Sequence, residues 1–115
     1  LKKISPSISF DDFSKLDVRT GTIIRAEYFA EARKPAIKLW IDFGSLGIKK
    51  SSAQITHRYK AEMLINRQVV AVINFPPKQI ANFISECLVL GAINEQNEVV
   101  LLHPEFSAVN GGEVK

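Results

Sequence analysis

Residues 67–85 read RQVVAVINFPPKQIANFIS, and the fold is read outward from this stretch. Val69–Ile73 is a β-branched apolar run, too short for a domain helix and bounded by Gln68 and Asn74, which is the pattern of a buried central strand. Pro76 and Pro77 then end ladder pairing and bias the chain toward extended backbone. The spacing predicts a stiff loop that displays Asn74, Phe75, Lys78, Phe83 and Ser85 at the end of a core strand, a common position for a binding site on a β scaffold.

Upstream, Ile37, Leu39, Ile41 and Phe43 alternate with Lys38, Trp40 and Asp42, so the first set faces a core and the second faces outward. Trp40 is expected on the wet face beside Lys38, either free to stack on a base or a peptide or covered by a neighbouring loop or a second subunit. The turn Gly44–Gly47 leads into a strand holding Lys49, Lys50, Ser51 and Ser52, whose charges and hydroxyls suit phosphate or carbonyl contacts. Before these, residues 16–27 read as a first strand with Leu16, Val18, Thr20, Thr22, Ile24 and Ala26 on one face. Gly21 within it permits the sharp coil or bulge that a strand shared by two sheet edges needs.

Residues 53–66 predict a connection with one or two helical turns, with Arg58 and Lys60 adding to the basic surface. Cys87–Leu90 reads as a further apolar strand, and Asn94–Asn97 as a hairpin connection into residues 98–102. At the start, residues 1–8 read as a flexible lead. Ser9 is then placed as an N-cap with Asp12 three positions on, opening a short helix whose stripe is Phe10, Phe13 and Leu16. That stripe fits either a lid on the domain's own core or half of a dimer contact. The tail, with Phe106 and Val109 among loop formers, fits an edge or a partner.

Five or more short strands with a kinked first strand outline a mainly all-β domain, an oligonucleotide-binding (OB) barrel with a short N-terminal helix and a C-terminal extension. At 115 residues with 46% hydrophobic and 23% charged residues, the composition is that of one ordinary globular domain, spanning residues 9–115 after the lead. No apolar run reaches the roughly 18 residues of a membrane span, the N-terminal ten residues lack a signal-peptide core, and the lone Cys87 has no intrachain partner. The expected compartment is the cytoplasm.

The formal net charge is +3, unevenly spread: residues 14–67 hold eleven Lys or Arg against five acids, and residues 68–115 hold two against five. A one-sided positive field fits an anionic partner such as RNA, and also fits an unevenly charged solvated surface. His57 and His103 stand in no catalytic motif, the Cys and His spacing is not that of a zinc site, and no glycine-rich phosphate loop occurs. No enzymatic activity, metal or cofactor is expected.

The segments LDVRTGTI (16–23), EARKPAIKLWIDFG (31–44), IKKSSAQITHRY (48–59), VVAVINFPPKQIANFISECLVLG (69–91) and VVLLHP (99–104) resemble the CsaA-type protein-secretion chaperones. Those chaperones look like a compact branch of the transfer-RNA-binding domains found at the C-terminus of bacterial methionyl-tRNA synthetases and in endothelial monocyte-activating polypeptide. The resemblance implies an OB fold and a homodimer built through elements outside the barrel, with Phe10, Phe13, Leu16, Phe106 and Val109 at the interface. It also implies binding of unfolded or precursor polypeptide, or of structured RNA. Asn74, Pro77, Lys78 and Ser85 match the wider family's signature. Cys87 and Leu88 stand where that family has Gly and Met, Asn82 replaces a loop glycine, and Gln79 and Ile84 replace basic residues. Two fewer loop cations weaken the phosphate contribution to RNA affinity.

Two functions from different classes follow. One is a dimeric chaperone that captures extended polypeptide on apolar loop residues. The other is a free-standing tRNA-binding module in which Lys38, Lys49, Lys50, Arg58 and Lys78 meet phosphate, Asn74 and Ser85 hydrogen-bond a base or ribose, and Trp40 or Phe75 stacks.

Overall fold

The computed structural model describes residues 3–115; the first two residues of the expected lead lie outside the described residues. Residues 3–8 are exposed and carry no regular secondary structure. Ser9 then caps α1 (Phe10–Ser14) as its sequence predicts: the Asp12 N–H donates to Ser9 Oγ at 3.1 Å, and the Ser9 N–H donates to Asp12 Oδ2 at 3.2 Å. The helix buries none of its residues, so Phe10 and Phe13, with ring centroids 6.1 Å apart, do not serve as a lid on this chain's own core.

The barrel is built from β1 (Val18–Tyr28), β2 (Ile37–Asp42), β3 (Ile48–Ala53), β4 (Gln68–Val72) and β7 (Leu88–Val89). They form one antiparallel sheet in the order β3-β2-β1-β4-β7. The first half of β1 pairs with β4 and its second half with β2, so β1 is shared by both edges of the curl. Closure comes from β3 meeting the chain just before β7: Glu86 N–H donates to Lys50 C=O at 2.7 Å, and Ser51 Oγ donates to Cys87 C=O at 2.9 Å. The result is the nearly closed, barrel-like sheet of an OB-type fold.

Gly21 serves this curl through close approach. A Cβ at that position would lie 2.7 Å from Ile41 Cγ2 and 2.8 Å from the Phe43 ring. The bulge falls further along, where the β1–β2 register shifts between Ile23 and Arg25. Sequence alternation places Ile24 with the inward set; in the structure Ile23, opposite core Ile41, is completely buried, and Ile24, the extra residue of the bulge, has no cross-strand partner and is exposed. Ile23, Ile37, Leu39, Ile41, Phe43, Leu64, Val69 and Ala71 make up the centre of the core. Its filling by apolar side chains from β1, β2 and β4, with Phe43 and Leu64 from the connections, is the apolar burial that supports so small a domain.

Three connections refine the sequence reading. The expected stiff loop after Pro77 is a hairpin, β5 (Lys78–Ile80) paired with β6 (Phe83–Ser85). Its turn, Ala81-Asn82, has Ala81 at φ 49° where a glycine would have advertised it. The expected strand over Cys87–Leu90 divides into β7, on the barrel, and β8 (Gly91–Ile93), which pairs with β9 (Val99–Leu101) across the Asn94–Asn97 turn. The connection before β4 contains one 3-10 turn, Ala61–Met63.

The C-terminal segment crosses β1 as a strap. Gly111 N–H donates to Thr20 C=O at 2.7 Å, Thr20 N–H to Gly112 C=O at 3.0 Å, and Val114 N–H to Val18 C=O at 2.8 Å. Arg19 fixes it further, with Nη1 donating to Gly111 C=O at 2.9 Å and Nε to Asp17 Oδ1 at 2.6 Å.

Candidate polypeptide or RNA interface

The outer face of β2 and β3 carries the aromatic and cationic residues that the alternation predicts. Cross-strand register pairs Arg25 with Trp40, Trp40 with Lys50, and Lys38 with Ser52, and directly opposed residues share a face. Over this face lies β6, whose Phe83 meets Trp40 edge-on with centroids 5.7 Å apart and Phe29 with centroids 5.5 Å apart. Cations surround the three rings. Arg25 Cζ sits 4.3 Å from the Trp40 ring centroid, Lys38 Nζ 5.3 Å from that of Phe29, and Lys50 Nζ 5.2 Å from that of Phe83. Arg25 and Lys38 both pair with Glu27, Lys38 at 3.8 Å, which fixes their heads beside the rings at modest electrostatic gain.

Trp40 is therefore on the outward face as expected, but half-buried, roofed by Arg25 and walled by Phe83. Phe83, read as a displayed loop residue, is 6% exposed and pins the hairpin to the barrel. Arg25 was not among the sequence candidates, because nothing in the local sequence marks the bulge that brings it opposite Trp40.

The Lys49-Lys50 doublet splits. Lys50 projects with Trp40, whereas Lys49 pairs with core-facing Ile41 and belongs to the other side of the strand. Of the two serines, Ser51 is buried and spends its hydroxyl on the Cys87 carbonyl, and Ser52 offers its backbone N–H to Ser85 Oγ at 3.1 Å. Ser85 thus locks β6 to β3. Arg58 is not brought to this surface; its guanidinium pairs with Glu98 at 3.8 Å, beside the β8–β9 hairpin.

Asn74 is also committed within the chain. Its Oδ1 accepts from Asp17 N–H at 2.9 Å and its Nδ2 donates to Lys15 C=O at 2.8 Å, which ties the end of β4 to the junction between α1 and β1. The family-signature asparagine here is a staple of the fold.

Two depressions flank the β5–β6 hairpin, and Lys78 lines both. On one side Phe75, Pro76, Ser85, Glu86, Cys87 and Leu88 enclose a cleft of about 180 Å³; Phe75 and Leu88 are 46% and 49% exposed. On the other, Arg33, Lys34, Gln54 and Gln79 border a groove of about 560 Å³ between the β1–β2 connection and β5. The cleft is apolar and the groove is cationic.

Cys87 at the floor of the cleft is not a nucleophile in waiting. Burial, and next the adjacent Glu86 carboxylate, push its thiol up to about 12, so the thiolate that reacts is scarce at neutral pH. Among the described residues, no group of three His, Cys, Asp or Glu side chains is placed to hold a metal ion, and no helix is long and apolar enough to cross a membrane.

The proposed contact residues between copies stand outside the barrel and are open to solvent. Phe10 is 79% exposed and Phe106 80%; Leu16 and Val109 are exposed as well. Phe10, Phe13, Leu16 and the last three residues of the strap enclose a shallow hollow of about 270 Å³.

Comparison with known proteins adds four findings. The solved structure of chaperone CsaA from Bacillus anthracis is 55% identical, covers 96% of this chain and 100% of its own, and superposes with a TM-score of 0.90. The CsaA chaperone protein from Picrophilus torridus is 54% identical over 95% of this chain and 100% of its own, with a TM-score of 0.88. A methionine–tRNA ligase of Methanococcoides burtonii is 36% identical over 98 residues, 85% of this chain but 14% of the ligase; the chain spans only a small part of the curated relatives it matches. Residues 18–113 match the family described as "Putative tRNA binding domain", and the chain belongs to that tRNA-binding-domain family.

Proposed function

We propose that this chain is an export-related molecular chaperone of the CsaA kind, a cytoplasmic homodimer that holds unfolded or precursor polypeptides on its OB domain, residues 9–115. The observation that carries the reading is the surface around the β5–β6 hairpin, where exposed Phe75 and Leu88 adjoin a layer of rings capped by Arg25, Lys38 and Lys50. An extended polypeptide offers apolar side chains to the first and carbonyl oxygens to the second, without a sequence code. Likeness at 55% identity to a protein described as a chaperone, over nearly the whole of both chains, supports the same reading.

The uncovered Phe10, Phe13, Leu16, Phe106 and Val109 support dimerisation through α1 and the C-terminal segment. A second copy over this stripe removes apolar area from water, and two sites on one dimer raise avidity for a long chain that spans both. A specific observation favours a second reading, a free-standing tRNA-binding protein: the groove bordered by Arg33, Lys34 and Lys78 has the charge to follow a phosphate backbone.

The test is a pair of titrations at low and high salt, one with a reduced, carboxymethylated polypeptide that cannot fold and one with bulk tRNA. The chaperone reading expects polypeptide binding that survives high salt. Salt-sensitive tRNA binding with no polypeptide binding replaces it with the second reading.

A further inference from the structure

We propose that the cleft between Phe75 and Leu88 is a receptor for one apolar side chain of an extended polypeptide, and that Glu86 on its rim selects a neighbouring Lys or Arg. The inference rests on the polypeptide reading above and narrows it to a recognition rule.

Size comes first. A cleft of about 180 Å³ admits a single leucine- or phenylalanine-sized group, well short of the several hundred Å³ of a typical small-molecule pocket. Exposed Phe75 and Leu88 line it with Pro76 and Lys78, and buried Cys87 forms its floor. The thiol is neutral because burial holds its proton, so the floor behaves as a small apolar surface.

Charge comes second. Glu86 is an acid that lines the cleft together with Lys78, and it is held rather than free. Its N–H donates to Lys50 C=O at 2.7 Å and its Oε1 accepts from Lys50 N–H at 2.9 Å. The carboxylate therefore completes the edge of β3 with one oxygen and leaves the other available. Among the described residues, no Lys, Arg or His nitrogen lies within 4.0 Å of it. Of the lysines around it, Lys50 lies over the Phe83 ring, Lys78 is exposed on the hairpin, and Lys49, whose charge reaches the adjacent Cys87, makes no ion pair with Glu86. A fixed carboxylate lacking a cation, one step from an apolar cleft, complements a cation one residue from an apolar side chain. It repels phosphate at the same place, so the cleft and the cationic groove across the hairpin serve different ligand chemistries.

The experiment uses fluorescein-labelled peptides with one leucine followed by lysine in a glycine-serine background, read by anisotropy against the whole chain. Two control peptides replace lysine by acetyl-lysine and leucine by serine. The expected loss is about fivefold for the acetyl-lysine peptide, the upper range of a partly exposed ion pair, and about tenfold for the serine peptide, from half-burial of a leucine. Glu86→Gln keeps an amide oxygen for the Lys50 N–H and removes the charge; with it, lysine and acetyl-lysine peptides should bind alike. Leu88→Ser should erase the leucine preference while leaving the lysine preference, and unchanged Trp40 emission shows that both variants are folded.

Persistent preference for lysine in Glu86→Gln overturns the selection rule. A leucine preference that survives in Leu88→Ser overturns the cleft assignment. If the unfolded polypeptide binds and none of the peptides does, this receptor is wrong and the chaperone reading stands; if neither binds, both fall. An RNA stem-loop whose binding is lost in Leu88→Ser makes the cleft an RNA contact and overturns the proposal as well.

Discussion

Replacing Phe83 by alanine removes the ring that joins the β5–β6 hairpin to the barrel. The ring is 6% exposed and meets Phe29 and Trp40 edge-on, with Lys38 and Lys50 nitrogens 5.7 and 5.2 Å from its centroid. Burial of the ring contributes about 2–3 kcal/mol, and each edge-on contact roughly 0.5–1.5 kcal/mol. These contributions overlap, and the expected loss is about 3–4 kcal/mol, inside the usual range for a buried phenylalanine. In a domain whose total stability is on the order of 5–15 kcal/mol, that is a large fraction. Urea unfolding followed by the emission of Trp40, the single tryptophan, measures it directly. The same probe reports on the native state, because losing the Phe83 wall opens one side of the indole to water and shifts its emission to the red. A loss under about 1 kcal/mol, well below the buried-ring range, with native emission unchanged would refute the reasoning that Phe83 fastens the hairpin.

Asn74→Ala removes the two bonds that tie β4 to the α1–β1 junction; the expected loss is about 1–2 kcal/mol, with ligand affinity unchanged in the folded protein, and an affinity loss at constant stability would return Asn74 to the binding surface. Because the Cys87 thiol is raised from 9.0 to about 12 by burial and then Glu86, its contribution to stability is complete below pH 9 and is lost as pH rises toward 12. Subtracting the stability profile of Cys87→Ala should isolate that alkaline decline, and maleimide labelling of the native protein at pH 8 should be slower than that of the urea-unfolded chain. Phe13→Asp places a charge in the uncovered α1 stripe and should convert a dimer to a monomer by light scattering at micromolar concentration; an unchanged dimer mass moves the interface off the helix.

The legible parts of the fold were those written by local chemistry. The capping box at Ser9 and Asp12, the clean alternation through β2 and the apolar run of β4 each depend on a few adjacent residues, and all three stand in the structure. What escaped depends on contacts distant in sequence. The bulge after Ile23 has no glycine or proline to mark it, and it is what sets Arg25 directly opposite Trp40. The β5–β6 hairpin turns through an alanine at positive φ, so its residues read as a loop and Phe83 as displayed. Lys49 and Lys50 look like one patch in sequence, yet strand pleating sends neighbours to opposite faces. Asn74 and Ser85 carry the family signature, and only the fold shows their polar atoms bonded to Lys15, Asp17 and Ser52 within the chain.

The most direct test of where the ligand sits is amide chemical-shift mapping of the isotope-labelled protein during titration with an unfolded polypeptide. Polypeptide held on this surface should shift the amides of Arg25, Trp40 and Lys50 and those around the cleft from Phe75 to Leu88. Shifts concentrated instead around Tyr59, Arg67 and His103, which border a separate hollow of about 400 Å³, with the hairpin silent, would contradict that placement.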